Sequence, residues 1–116
     1  MVNSTDQARQ PPTVLVVICT VPDAELGVKI AESLLQHRLA ACVHRLPPGV
    51  STYRWQGRVE TGEESTLIIK TESSRFAELA AEIRRLHPYD VPEILALRVT
   101  DALPAYLQWV AGETGG

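Results

Sequence analysis

The run from Thr13 to Thr20 reads Thr-Val-Leu-Val-Val-Ile-Cys-Thr, with no charge, no Gly and no Pro. An unbroken stretch of β-branched and apolar residues predicts a strand covered on both faces. Pro22 and Asp23 follow at once and open a helix, with Asp23 or Thr20 placed to cap its first amides. Leu26, Ile30, Ala31, Leu34 and Leu35 recur at helical spacing while Lys29, Glu32 and Gln36 face water, so the helix is predicted from about Asp23 to His37.

The rest of the chain continues the alternation. Cys42 to Leu46 begins a second strand, Pro47-Pro48-Gly49 bends it at an edge, and Val50 to Gln56 resumes it with Tyr53 and Trp55 on one face. Gly57 turns the chain, and Arg58 to Glu60 with Ser65 to Thr71 make the return, giving a long hairpin. Ser73 or Ser74 is the expected cap of a second helix with a buried stripe of Phe76, Leu79, Ala80, Ile83 and Leu86, ended by Pro88. Ile94 to Val99 is a fourth strand. Leu103 to Val110 is a short last helix, with Gly112 past its end. The order βαββαβ predicts an α+β, ferredoxin-like sandwich with a long central hairpin and an extra C-terminal helix. Two helices cover one face of such a sheet. The first strand is apolar on both, so a second chain is the expected cover for the other.

The chain of 116 residues is 45% hydrophobic, 22% charged and 5% aromatic, which suits one domain with an aliphatic core. Residues 1–12 are expected to form a disordered tail, 13–112 the domain and 113–116 a frayed end. The formal charge of −3 excludes a strongly basic nucleic-acid footprint, although residues 1–58 carry +2 and 59–116 carry −5. No apolar run approaches a membrane span, and the first residues lack a leader pattern, so a cytoplasmic location with reduced thiols is expected and a Cys19–Cys42 disulfide is not. There is no Gly-rich phosphate loop, no G-x-S-x-G and no H-E-x-x-H, so a non-enzyme is expected. The aliphatic first and third strands offer no stacking platform for RNA.

Few residues carry chemistry. Cys19 ends a strand just before a helix N-terminus, which lowers a thiol pKa and favours soft-metal binding; it also suits a core position, where free Cys is common. His87 sits at a helix end, where it can serve the dipole or ligate a metal. Ile83 and Val91 flank it at four residues, so any metal site there must be assembled across the fold. His37 and His44 read as surface residues. Cys42, after Ala40-Ala41, reads as close packing. Lys70 interrupts a buried strand and either snorkels to the edge or meets a carboxylate, Glu64 or Glu93. Glu60, Glu63 and Glu64 read as a solvated arm, without a calcium-loop spacing.

Six motifs then stand in order and register over residues 13 to 110: Cys19-Thr20-Val21-Pro22-Asp23, Leu39-Ala40-Ala41-Cys42, Tyr53-Arg54-Trp55-Gln56-Gly57, Leu67-Ile68-Ile69-Lys70-Thr71 behind Glu60 and Glu64, His87-Pro88-Tyr89 with Val91-Pro92-Glu93, and Tyr106-Leu107 with Trp109. This series resembles the CutA divalent-cation tolerance family. The resemblance implies a homotrimer similar to that of the PII signalling proteins, a role in tolerance of divalent cations, copper above all, and no named protein partner. It implies a copper site at Cys19 and His87, with Leu86 standing where some members carry a further His. Copper or another divalent ion would then be a ligand, not a requirement for folding. It also implies a pocket at the subunit junction lined by Cys42, Trp55, Lys70 and Tyr89; the carboxylate read above as a partner of Lys70, Glu64 or Glu93, is counted with that pocket. The other reading that the resemblance allows is a non-catalytic, PII-like regulatory or scaffold trimer that binds a small ligand or a partner at that pocket.

Overall fold

The computed structural model describes residues 13–115. The expected tail at 1–12 therefore lies outside the described residues. Strand β1 (Val14–Val21) leads through Pro22 and Asp23 into helix α1 (Ala24–Gln36). Strands β2 (Cys42–Arg45), β3 (Gly49–Trp55) and β4 (Arg58–Glu72) follow. A 3-10 turn (Ser73–Arg75), helix α2 (Phe76–Leu86), strand β5 (Ile94–Arg98) and helix α3 (Pro104–Thr114) complete the chain.

The sheet is antiparallel throughout, in the order β2-β4-β1-β5, with β3 paired to the other half of β4. Thus β4 is the spine: its 15 residues carry β3 on the first half and β2 on the second. Residues 61–64, unassigned in the sequence reading, belong to it. At about 3.3 Å per residue such a strand is roughly 50 Å long, and the molecule's longest dimension is 57 Å. The hairpin closes at Gln56 and Gly57, whose φ values of 51° and 80° make the two-residue turn that matches strand twist.

The helix-facing sides of β1 and β4 form the core. Leu15, Val17, Cys19 and Val21 alternate inward from β1, Leu67 and Ile69 from β4, and they pack with Ile30 and Leu34 of α1 and Leu79 and Ile83 of α2. Asp23 caps α1 by accepting from the Leu26 amide at 2.8 Å, as expected. Gly27 lets α1 approach the sheet: a Cβ there would already touch Leu67 and Val21 at 3.4 and 3.5 Å. Arg38 closes the helix in the left-handed region at φ 56°, with the Leu39 amide bonded to the Leu34 carbonyl.

Two local expectations change. Neither Ser73 nor Ser74 caps α2: the first residues form the 3-10 turn, and the Ser74 hydroxyl donates to Glu72. Gly112 lies inside α3, which runs to Thr114 instead of stopping at Val110. Tertiary bonds hold that extra turn where fraying was expected: Arg38 donates to the Gly112 carbonyl at 2.7 Å and Arg75 to the Thr114 carbonyl at 2.6 Å. Among the described residues of one chain, β1 is covered on the helix side only. Val16, Ile18 and Thr20 are half-buried, and Leu95 and Leu97, their cross-strand neighbours on β5, are 56% and 55% exposed. A second layer for that face is absent from the described residues of a single chain.

Candidate functional site

Helix α2 ends at Leu86 because Pro88 forbids another turn, and the extended backbone of His87 aims its ring back at the end of β1. His87 is buried, and its Nε2–H donates to the Thr20 carbonyl at 2.7 Å. Its Nδ1 accepts from the Tyr89 amide at 3.2 Å, so the hydrogen-bond pattern assigns the proton to Nε2. The rings of His87 and Tyr89 lie 4.6 Å apart.

Cys19 is wholly buried on the helix side of β1, and its Sγ lies 3.7 Å from the same Thr20 oxygen. Burial, followed by the charges of Glu93 and Glu64, pushes the thiol up to about 12. Of the two readings of Cys19, the structure has the buried core position, where desolvation raises the thiol. Cys42 lies on the opposite face of the sheet, directly across from Lys70, and both thiols are free.

A groove of about 500 Å³ opens between the hairpin arm and the loop after α2. Strand β3 and the hairpin end supply Ser51, Tyr53 and Trp55, β4 supplies Glu64, and the loop supplies Tyr89, Asp90 and Glu93. The Tyr89 hydroxyl donates to Glu64 at 3.1 Å. Burial and that carboxylate raise the phenol to about 12, so it stays protonated and donating.

The fold thus brings four of the six expected pocket residues together: Trp55, Glu64, Tyr89 and Glu93. Cys42 and Lys70 do not join them within one chain. Lys70 is six residues along β4 from Glu64, roughly 20 Å at strand rise. Neither Glu64 nor Glu93 pairs with it among the described residues. Thr20, Ser51, Tyr53 and Asp90 were not foreseen as lining; the shared face of Tyr53 and Trp55 was the one available signal.

Cys19 and His87 converge on one carbonyl, but no group of three His, Cys, Asp or Glu able to hold a metal occurs among the described residues. With the thiol protonated and both imidazole nitrogens engaged, these two residues do not present a ready metal site in one chain.

Residues 15–113 match the family model described as CutA1 divalent ion tolerance protein. The chain belongs to the CutA1 divalent ion tolerance family. Among its relatives, the "Divalent-cation tolerance protein CutA" of Thermus thermophilus is 44% identical over 100 residues, covering 86% of this chain and 97% of the relative. "Protein CutA, chloroplastic" of Arabidopsis thaliana is 43% identical, and the match spans 55% of its length. The solved structure of the Thermus thermophilus divalent cation tolerance protein superposes with a TM-score of 0.86 at 43% identity, covering 88% of this chain and 99% of that one. The CutA1 fold is ferredoxin-like, as the motif series and the element order implied. No described helix is long and apolar enough to cross a membrane.

Proposed function

We propose that this CutA1-family chain serves divalent-cation tolerance as a non-catalytic homotrimer. One observation carries the assembly: the sheet face opposite the helices presents Val16, Ile18, Leu95 and Leu97 with no second layer over them among the described residues. At about 25 cal/mol per Å² of apolar surface, leaving such a face wet forfeits several kcal/mol per chain. A closed ring of identical chains removes that cost with one repeated contact. The Thermus relative carries the tolerance role in its name. A cytoplasmic location belongs to this reading through the pair of free thiols, while the Arabidopsis relative is named as chloroplastic.

Direct binding of copper or another divalent ion at Cys19 and His87 is the most demanding part of the proposal. The thiol must lose its proton, His87 must release Thr20 or Tyr89, and further ligands must come from outside this pair. Copper titration of the assembled protein and of Cys19→Ser tests it. A lower stoichiometry in the variant is expected; unchanged stoichiometry and affinity would remove Cys19 from the account. Sedimentation in the same buffer reads the assembly independently.

The groove favours a second reading, a PII-like regulatory or scaffold trimer with a ligand pocket. Trp55, Glu64, Tyr89 and Glu93 already line it in one chain, and in this reading a neighbouring chain completes it with Cys42 and Lys70. An ordered organic molecule in the groove of the purified protein would support it; a groove closed by the neighbouring chain would remove it.

A further inference from the structure

A second cavity, of about 300 Å³, lies on the helix side of the sheet against the first turns of α1. It opens where β2 stops. The Leu46 amide donates to the Thr66 carbonyl at 2.9 Å, Pro47 and Pro48 have no N–H to continue the ladder, and pairing resumes only at Gly49 opposite Glu64. Ser65 is left between these two bonds. Gly27 keeps the space open from the helix: a Cβ there would stand 3.4 Å from Leu67 and 3.8 Å from the Cδ of Arg45. Leu46, Pro47, Pro48 and Leu67 make the walls apolar.

Two donors face this space. Ser65 is only 4% exposed and lines the cavity on the same sheet face as Leu67. No fully enclosed side-chain oxygen or nitrogen lacks a partner among the described residues, and the Ser65 hydroxyl has none there, so its remaining exposure is to the cavity. A buried hydroxyl without an acceptor is costly, and a ligand oxygen removes that cost. Arg45 is the other donor. It stands opposite Leu67 on the ladder, which makes Ser65 its diagonal neighbour at about 7–8 Å, within reach of a long side chain. Its guanidinium has no carboxylate partner among the described residues, where the ion pairs are Arg75–Glu78 and Arg85–Glu82. A guanidinium fork matches the two oxygens of a carboxylate, and a hydroxyl can donate to the same group. The cavity size sits at the lower end of small-molecule sites. Both donors and the apolar walls come from one chain, on the side of the sheet away from Leu95 and Leu97, so the site needs no residue from a neighbour.

We propose that this cavity binds a small aliphatic carboxylate, with Arg45 and the Ser65 hydroxyl on the carboxylate and the apolar body between Gly27, Leu67 and the two prolines. The site is separate from the groove at the hairpin arm and does not rest on the readings given above.

Calorimetric titration of the full chain, in its solution assembly, with hexanoate and with the neutral hexanamide tests it. Saturable binding of hexanoate, about ten-fold tighter than hexanamide, is expected. Arg45→Gln, an exposed position where folding can be confirmed by circular dichroism, should bring hexanoate down to the affinity of hexanamide and leave hexanamide unchanged. Gly27→Ala adds a methyl at ordinary contact distance, narrows the slot and should weaken both probes several-fold. Equal binding of the two probes by the native protein would overturn the carboxylate assignment. Inorganic phosphate binding as tightly as hexanoate would overturn the role of the apolar body in favour of a bare anion. Affinities unchanged in both variants would put the binding elsewhere, and no binding of either probe would overturn the site, leaving the groove at the hairpin arm untouched.

Discussion

His87 donates from Nε2 to the carbonyl oxygen of Thr20 at 2.7 Å, joining the end of α2 to the end of β1 across 67 residues of chain. The bond occupies the edge of the groove and commits the ring's other nitrogen to the Tyr89 amide. It makes His87 a structural joint before it is anything else.

Replacing that joint should be costly. His87→Ala removes a buried ring with two hydrogen bonds. A loss of about 1–3 kcal/mol in unfolding free energy is expected, from urea denaturation at pH 7. A loss within experimental error would mean that water substitutes freely and the joint is idle.

The Cys19 thiol should be inert. With its pKa pushed up to about 12 by burial and by Glu93 and Glu64, roughly one molecule in ten thousand is thiolate at pH 8. In a Cys42→Ser background, iodoacetamide at pH 8 should leave the native protein unlabelled and label it fully in denaturant. Rapid labelling of the native form would contradict the burial.

Glu82 links α1 to α2 by accepting from the Ser33 hydroxyl while its carboxylate pairs with Arg85. The Arg85 and Ser33 hydrogen bonds lower its pKa from 4.5 to about 2. A depressed carboxyl pKa contributes stability that is fully present above the unfolded value and lost as pH falls through the folded one. The stability gap between the native chain and Glu82→Gln should therefore be constant above about pH 5 and shrink from there toward pH 2. Thermal melts at pH 7, 4 and 2 read it. A gap independent of pH would show that the lost interaction does not depend on charge.

Leu97 is 55% exposed on the uncovered face, opposite Val16. If three chains meet there, Leu97→Arg buries an unpaired charge in each contact, which costs several kcal/mol. Sedimentation should shift from three times 12.7 kDa toward the single-chain mass. An unchanged trimer would move the interface elsewhere, and a native protein sedimenting at 12.7 kDa would end the trimer proposal.

Much of this was legible before any coordinates. The Asp23 cap, the inward stripe of α2 and the turn at Gly57 follow from local rules of capping, period and backbone freedom. The family could be read from motifs standing in register. The departures have two causes. Ser73 and Ser74 are sound caps by type, yet the 3-10 turn spends that position. Gly112 signals a helix end, yet Arg38 and Arg75, distant in sequence, bond the Gly112 and Thr114 carbonyls. Cys19 reads from sequence as either a ligand before a helix or a core residue, and burial among distant elements decides for the core. At Gly112 and Cys19 contacts distant in the sequence outweighed the local signal, and at Ser73 and Ser74 the local 3-10 turn did.

By itself the sequence determined the order of the elements, the helix-facing core and the family, because periodicity, capping and punctuation act over a few residues. Only the tertiary structure decided which chemical groups meet. The register of β4 separates Lys70 from Glu64, and the loop after α2 returns Tyr89 and Glu93 to the hairpin arm. The state of a thiol or a carboxylate depends on burial and on neighbours far away in the chain, and no local spacing encodes them.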